Sequence, residues 1–528
     1  MAEAPHDPSV APLVSVVIPT FRSGPGLDRA IASLDAQTLP QDRLEVLLLD
    51  DGSPDDTAAR IEAIAAGRAN YRAFALEPSG WPSRPRNIGV REARGRYVLF
   101  LDHDDELYPD ALRAAVALGD EAGADVVNGK EVRTQVARWG LTQYTRDLRD
   151  ARDEPLRGLL PMTPHKLYRR AFLLEHDIRF PEAPRHLWED LFFHVDVIRH
   201  LPAVAVLSST PFYHWRKTAE NSSTSTDGTK LDYSGDPEYW PYLDKLFRLV
   251  STVEDASVRD ELLVQNVHVR LVSQLGQRAG EDAGAVASAR AEVARMLAAY
   301  VPAELDRRLP DRSRVAITLF RAGHAEAAAD YLRDGIGRRP EFTVTAVEDA
   351  GEGAVTITGT VRWSRIPGQP FARRTAAGEV VRDLPEPLAG LLAERGLTPS
   401  ADVSAAFVDV AIRHAPTRVN WLLPSTSEVR LVEQADGTLE PEGRFTARFD
   451  PRTAAMGNAL PPGAHLVLGM CELDGRTGIK RAFSDLPAGT AVGPVRLDYS
   501  AQDGLLLRLP AEEPPAARRS LLQRLRRG

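Results

Sequence analysis

Short aliphatic runs alternate with helix-spaced patterns from Val14 to Val116, and two of the runs end in acidic clusters. Val14–Ile18, Glu45–Leu49, Tyr71–Leu76 and Tyr97–Leu101 are brief, apolar and rich in branched residues, as buried strands are. Between them Leu27, Ile31 and Leu34 recur at helical spacing, as do Ile61 and Ile64. Pro109 stands where a helix can begin, with Leu112 and Val116 on its apolar face. This order predicts an α/β domain with a largely parallel sheet. Such sheets bind ligands beyond the carboxyl ends of their strands, where Asp50-Asp51-Gly52-Ser53 and Asp102-His103-Asp104-Asp105 fall.

The remainder changes texture twice. Residues 231–338 are helical in character, with Leu243, Leu246, Leu249 and Val250 in register and Ala-rich stretches at Ala287–Ala299 and Ala325–Tyr331. From Glu341 the pattern alternates as strands do: Phe342, Val344 and Ala346, then Val355 and Ile357. Ala405–Ile412, Glu428–Val432 and His465–Met470 follow between turns, as in one β-sandwich or two. A chain of 528 residues is expected to hold two to four domains.

Bulk properties exclude several classes. A net charge of -9 argues against nucleic acid as a partner. One cysteine, Cys471, rules out an intramolecular disulfide and a thiolate metal cluster. The first ten residues lack the basic and apolar regions of a secretory signal, and no run reaches the roughly 20 apolar residues of a membrane span. The expected location is the cytoplasm, at its membrane face if the tail binds lipid. That tail carries Arg518, Arg519, Arg524, Arg526 and Arg527 around three leucines, either a solvated end or a weak anchor for anionic lipid.

Five segments have residue types suited to chemistry. Carboxylates crowded at Asp102–Asp105 repel one another unless a cation compensates them. Mn²⁺ or Mg²⁺ would accept their oxygens and leave room for phosphate; a solvated helix-capping turn is the alternative. Asp51 could accept an imide N–H of a uracil ring, or close an Asx turn with Gly52. Arg84 and Arg86, at a helix start, could meet a nucleotide or be surface charge. Glu189-Asp190 opens an amphipathic helix, as a cap or as a general base facing a cleft. His214, Arg216 and Lys217 could hold a diphosphate, with His214 able to ligate a metal; a basic loop over an aromatic is the other possibility.

The order of these segments resembles the family 2 glycosyltransferases, inverting enzymes of the GT-A fold. VSVVIPTFRSGPGLDRAIASLDAQTL, LEVLLLDDGSPDDT, PSRPRNIGVREARGRYVLFLDHDDEL, KLYRRAFLLEHDIRF, LWEDLFFHVDVI and FYHWRKTAENSSTS occur in the family's order over about residues 13–226. The resemblance implies that Pro19, Thr20 and Phe21 line a uridine pocket, that Asp51 binds uracil and that Arg86 contacts the nucleotide. It makes Asp102–Asp104 the metal-binding DxD motif, with Asp104 the direct ligand, and Asp190 the general base beside Glu189. Phe21-Arg22 departs from the commoner Tyr-Asn, losing a phenol hydroxyl but keeping a ring that can stack. The succession of parts is similar to that of the wall teichoic acid glycosyltransferases, which add N-acetylglucosamine to poly(ribitol phosphate) and form trimers through their C-terminal regions.

The expected architecture is therefore a GT-A domain over residues 1–230, a helical linker over 231–338, and an Ig-like β-sandwich region over 339–510 for oligomerisation or glycan binding. A basic tail, 511–528, completes it. The implied partners are a UDP-sugar, a polyol-phosphate or polysaccharide acceptor and two further copies in a homotrimer. Other readings are transfer to a capsular or lipid-linked glycan and a non-catalytic scaffold.

Overall fold

The computed structural model describes residues 11–134, 141–216, 237–276, 282–334, 338–397, 401–500, 502 and 504–510. The basic tail, Lys217 and the Asn221–Ser223 run lie outside the described residues.

The N-terminal domain is built on eight strands: β1 (Val14–Thr20), β2 (Leu44–Asp50), β3 (Tyr71–Ala75), β4 (Tyr97–Phe100), β5 (Glu106–Leu107), β6 (Val126–Arg133), β7 (Leu167–Arg169) and β8 (Val204–Trp215). They lie in the order β3-β2-β1-β4-β7-β6-β8-β5. The half read from sequence, β3 to β4, is parallel throughout. The other half is mixed, because β7 runs antiparallel to both β4 and β6, and β5 antiparallel to β8. "Largely parallel" therefore holds for only half of the sheet.

Strand runs are apolar at every position because both faces of the sheet are covered. Val17, Leu47, Leu49, Val98 and Phe100 join one core, while Val16, Ile18, Val46, Leu48 and Leu99 join the other. Helices α1 (Gly26–Asp35), α2 (Thr57–Ala66), α3 (Ser83–Glu92) and α4 (Ala111–Ala122) follow their strands. Leu27, Ile31 and Leu34 of α1 are buried, as their spacing predicts. Two later helices, α5 (Arg170–Glu175) and α6 (Glu189–Ile198), belong to the same domain.

The helical segment is not a detached spacer. Tyr242, Leu246, Val258, Leu262, Val293 and Ile317 belong to the same core as Val17 and Phe100. The C-terminal region is a connected 13-stranded system with a core of its own. Val132 of β6 is part of that core, so the β region packs directly on the N-terminal domain. Among the described residues no helix is long and apolar enough to cross a membrane.

Candidate active site

Beyond the ends of β4 and β8 lies a cleft of about 480 Å³, part of it open to solvent. Arg86, Asp102, Asp104, Thr163, Pro164, His165, Glu189, Asp190 and Trp215 line it. The turn after β4 supplies the aspartates, α3 supplies Arg86, and the start of α6 supplies Glu189 and Asp190. Asp104 and Asp190, far apart in sequence, thus face one cavity.

A chain of alternating charges surrounds it. Arg133 donates to Glu131 at 3.2 Å, and His165 Nδ1 meets Glu131 at 3.1 Å. His165 Nε2 lies 3.5 Å from Asp102. Arg86 then donates to Asp102 at 2.8 Å and to Glu189 at 3.1 Å. Burial opposes the charge on His165, but Glu131 and Asp102 outweigh it and raise its pKa to about 9. Burial likewise opposes ionisation of Asp102, yet Arg86 and His165 hold its carboxyl well below the usual range.

Glu189 and Asp190 differ in their surroundings. Burial and the adjacent Asp190 push Glu189 up to about 7, against the pull of Arg86. Asp190 is also raised, by burial first, with Arg86 and the Leu191 amide opposing. Its Oδ1 accepts the Leu191 N–H at 2.8 Å. The residue before both acids, Trp188, is left-handed (φ 59°), a strained geometry for a bulky residue. Tyr239 packs edge-on against its indole, and the Arg270 guanidinium sits 5.1 Å above it. Arg270 is delivered by a π-helical turn, Val267–Leu271, an irregularity that often marks functional places. The helical segment therefore packs against the residue that precedes the pair. Within α6, His194 Nδ1–H donates to the Asp190 carbonyl at 2.7 Å; its Nε2 accepts the Tyr168 hydroxyl at 2.9 Å.

The acidic turn fits a hard cation. Burial, Asp104 and Asp102 together push Asp105 well above its ordinary value, the stress that a cation relieves. Ligand atoms of Asp102, Asp105 and His165 lie within 4.8 Å of one another. Asp105 already accepts from the Tyr213 hydroxyl at 2.8 Å and the Arg216 amide at 2.7 Å. Asp102 and Asp104 are the turn's carboxylates on the cleft wall.

Other residues singled out from sequence lie outside that wall. Asp51 is buried, and its carboxylate accepts from the Ser79 amide and hydroxyl and the Gly80 amide at 2.7–2.9 Å. A second cavity of about 440 Å³ adjoins this turn, lined by Ser79, Arg84, Glu182, Ala183 and Pro184. Pro19 and Thr20 end β1; the Pro19 carbonyl faces His103 at 3.4 Å and the Thr20 carbonyl accepts the Asp51 amide. Phe21 is exposed beneath the Arg22 guanidinium. His214 is buried beside Tyr108, with Glu106 3.8 Å from its Nδ1. Strand alternation points it away from Trp215, which does reach the cleft. Arg216 pairs with Glu106 at 3.0 Å.

His165, Thr163, Pro164 and Trp215 were not anticipated as site residues. The matching segment KLYRRAFLLEHDIRF begins one position after His165, which only the tertiary fold carries to Asp102.

Comparison with known proteins shows what these features are similar to. Residues 15–179 match the model of glycosyl transferase family 2, and residues 236–331 match the glycosyl transferase TarS linker domain. Poly(ribitol-phosphate) beta-N-acetylglucosaminyltransferase TarS of Staphylococcus aureus is 32% identical over 211 residues, 38% of this chain and 35% of that protein. Poly(ribitol-phosphate) beta-glucosyltransferase of Bacillus spizizenii is 25% identical over 207 residues, 38% of this chain and 32% of that protein. The alignments thus span about a third of the length of these relatives. The crystal structure of S. aureus TarS superposes over 95% of this chain and 85% of its own, with a TM-score of 0.51 at 17% identity, a likeness of fold. Residues 1–349 of TarS in complex with UDP-GlcNAc give a TM-score of 0.51 at 20% identity, over 71% of this chain and 97% of that one.

Proposed function

On the premise that residues 15–179 are a family 2 glycosyl transferase domain and residues 236–331 a TarS linker domain, we propose that the chain transfers a sugar from a UDP-sugar to a hydroxyl of a cell-wall polyol-phosphate polymer. The donor sugar would be N-acetylglucosamine or glucose, as the names of the relatives suggest. One observation carries the reading: Asp190 and the Asp102–Asp104 turn face a single cleft.

In the proposed reaction Asp190 takes the proton from an acceptor hydroxyl as that oxygen attacks the anomeric carbon. The bond to UDP breaks on the opposite side and its electron pair leaves with the diphosphate. An α-linked donor then yields a β-glycoside. Glu189 is less suited to the proton, because Arg86 already holds one of its oxygens. Asp102 and Asp104 would hold Mn²⁺ or Mg²⁺, which supplies positive charge for the departing diphosphate. Arg86 and the His165–Glu131 pair keep Asp102 ionised and oriented toward the cavity.

The deciding experiment incubates the full chain with UDP-GlcNAc or UDP-glucose, Mn²⁺ and poly(ribitol phosphate), and reads the product by NMR. A β-linked product supports the assignment. An α-linked product, or no transfer and no donor hydrolysis with either sugar, overturns it.

A further inference from the structure

Strand β6 carries the cleft on one face and the C-terminal region on the other. On the cleft side Glu131 accepts from Thr163 at 2.7 Å and from His165, and the Arg133 guanidinium lies 3.6 Å over the Trp215 ring. On the opposite side Val132 enters the C-terminal core, and the buried Lys130 ammonium donates to the Asn420 carbonyl at 2.8 Å, 5.8 Å from the Trp421 ring.

This half of β6 is thinly supported within its own sheet. β7 pairs with Val126 and Val127 alone, so from Asn128 onward β6 has one strand neighbour, β8, and a register irregularity at Gly129–Glu131. The hairpin of Phe407–His414 and Asn420–Leu422 packs against this half of β6. Arg413, itself buried, donates to the Arg133 carbonyl, and the Tyr108 hydroxyl donates to the Thr417 carbonyl in the hairpin turn. Three contacts at Tyr108, Lys130 and Arg133 thus tie one turn of the C-terminal region to the back of the cleft, and each uses a main-chain carbonyl.

We propose that this hairpin is a working part of the transfer site: it clamps β6 so that Glu131 and Arg133 hold His165 and Trp215 in place. Arg413 and Tyr108 are positioning residues that do not touch substrate: Arg413 bonds β6 directly, and Tyr108 holds the hairpin that carries Arg413. The inference rests on the transfer reading above, and it gives the C-terminal region a role in turnover besides any in assembly or polymer binding. Displacing reacting groups by about 1 Å can cost roughly 100-fold in rate, so loosening the clamp should act on kcat rather than on donor affinity.

The test compares full-length wild type with Tyr108→Phe, Arg413→Gln and the double variant. Amide hydrogen exchange is read over residues 131–133 and 163–166, together with kcat and donor KM for UDP-GlcNAc. In the double variant these amides should exchange at least about tenfold faster and kcat should fall about tenfold, with KM within about twofold. Arg413→Lys, which keeps a donor, should recover much of the rate. Should the double variant fail to fold, Tyr108→Phe, which deletes one hydroxyl, carries the same comparison. Unchanged exchange at 131–133 and 163–166, with the hairpin's own amides freed, overturns the clamp. So does faster exchange with kcat intact. Exchange decides the mechanical claim even if wild type turns over no UDP-sugar, an outcome that would defeat the transfer reading instead.

Discussion

Glu189 sets a carboxylate oxygen 3.1 Å from the Arg86 guanidinium, while the adjacent Asp190 receives its hydrogen bond from the Leu191 amide of its own helix. Two neighbouring acids therefore have different work available. One neutralises a buried arginine that also binds Asp102. The other presents a carboxylate of raised pKa to the cleft.

Asp190→Asn should lower kcat by roughly 10²–10⁴-fold, the usual contribution of a general base, with UDP binding retained. Glu189→Gln keeps an acceptor for Arg86 and should cost about tenfold. Steady-state transfer rates and calorimetric titration with UDP distinguish the two. An Asp190→Asn enzyme turning over at the wild-type rate would remove Asp190 from the mechanism.

Rate should depend on pH through the same pair. A base must be ionised to accept a proton, and burial raises both carboxyls, Glu189 to about 7. Glu189 therefore takes up its proton as pH falls through about 7 and Asp190 does so above the ordinary aspartate range, so kcat/KM should decline from neutrality towards the acid side. A profile flat down to pH 5 would contradict this.

Gly26 packs the start of α1 against the acidic turn. A Cβ there would stand 2.9 Å from the Asp104 Cα and 3.2 Å from the His103 carbonyl, which are backbone atoms without freedom to rotate away. Gly26→Ala should therefore shift the turn and lower kcat about tenfold. Alanine's helix preference, up to about 1 kcal/mol, should offset much of the strain in the melting temperature. A normal rate in this variant would show that the turn yields without consequence.

Metal removal supplies another check. Hard cations prefer carboxylate oxygens, and Asp104→Asn replaces a charged ligand by a neutral one. Transfer should stop in EDTA and return with Mn²⁺ or Mg²⁺, and the variant should need a higher Mn²⁺ concentration for half-maximal rate. Full transfer in EDTA would exclude metal dependence.

Local pattern determined much of this protein. Both faces of β1, β2 and β4 are covered, so their runs had to be apolar at nearly every position, and the strands were legible without any partner. The acidic turn, Glu189-Asp190 and the alternating C-terminal strands were visible for the same reason: each is contained within a few consecutive residues. Tertiary structure alone decided which charges meet. Glu131, His165 and Asp102 come from three separate segments, and neither Glu131 nor His165 is marked by its neighbours in sequence. His214 and Trp215 are adjacent, yet the pleat of β8 sends only the indole to the cleft. Docking of the Phe407–Leu422 hairpin behind β6 was equally hidden, since it depends on main-chain carbonyls that every residue possesses and no side-chain pattern records.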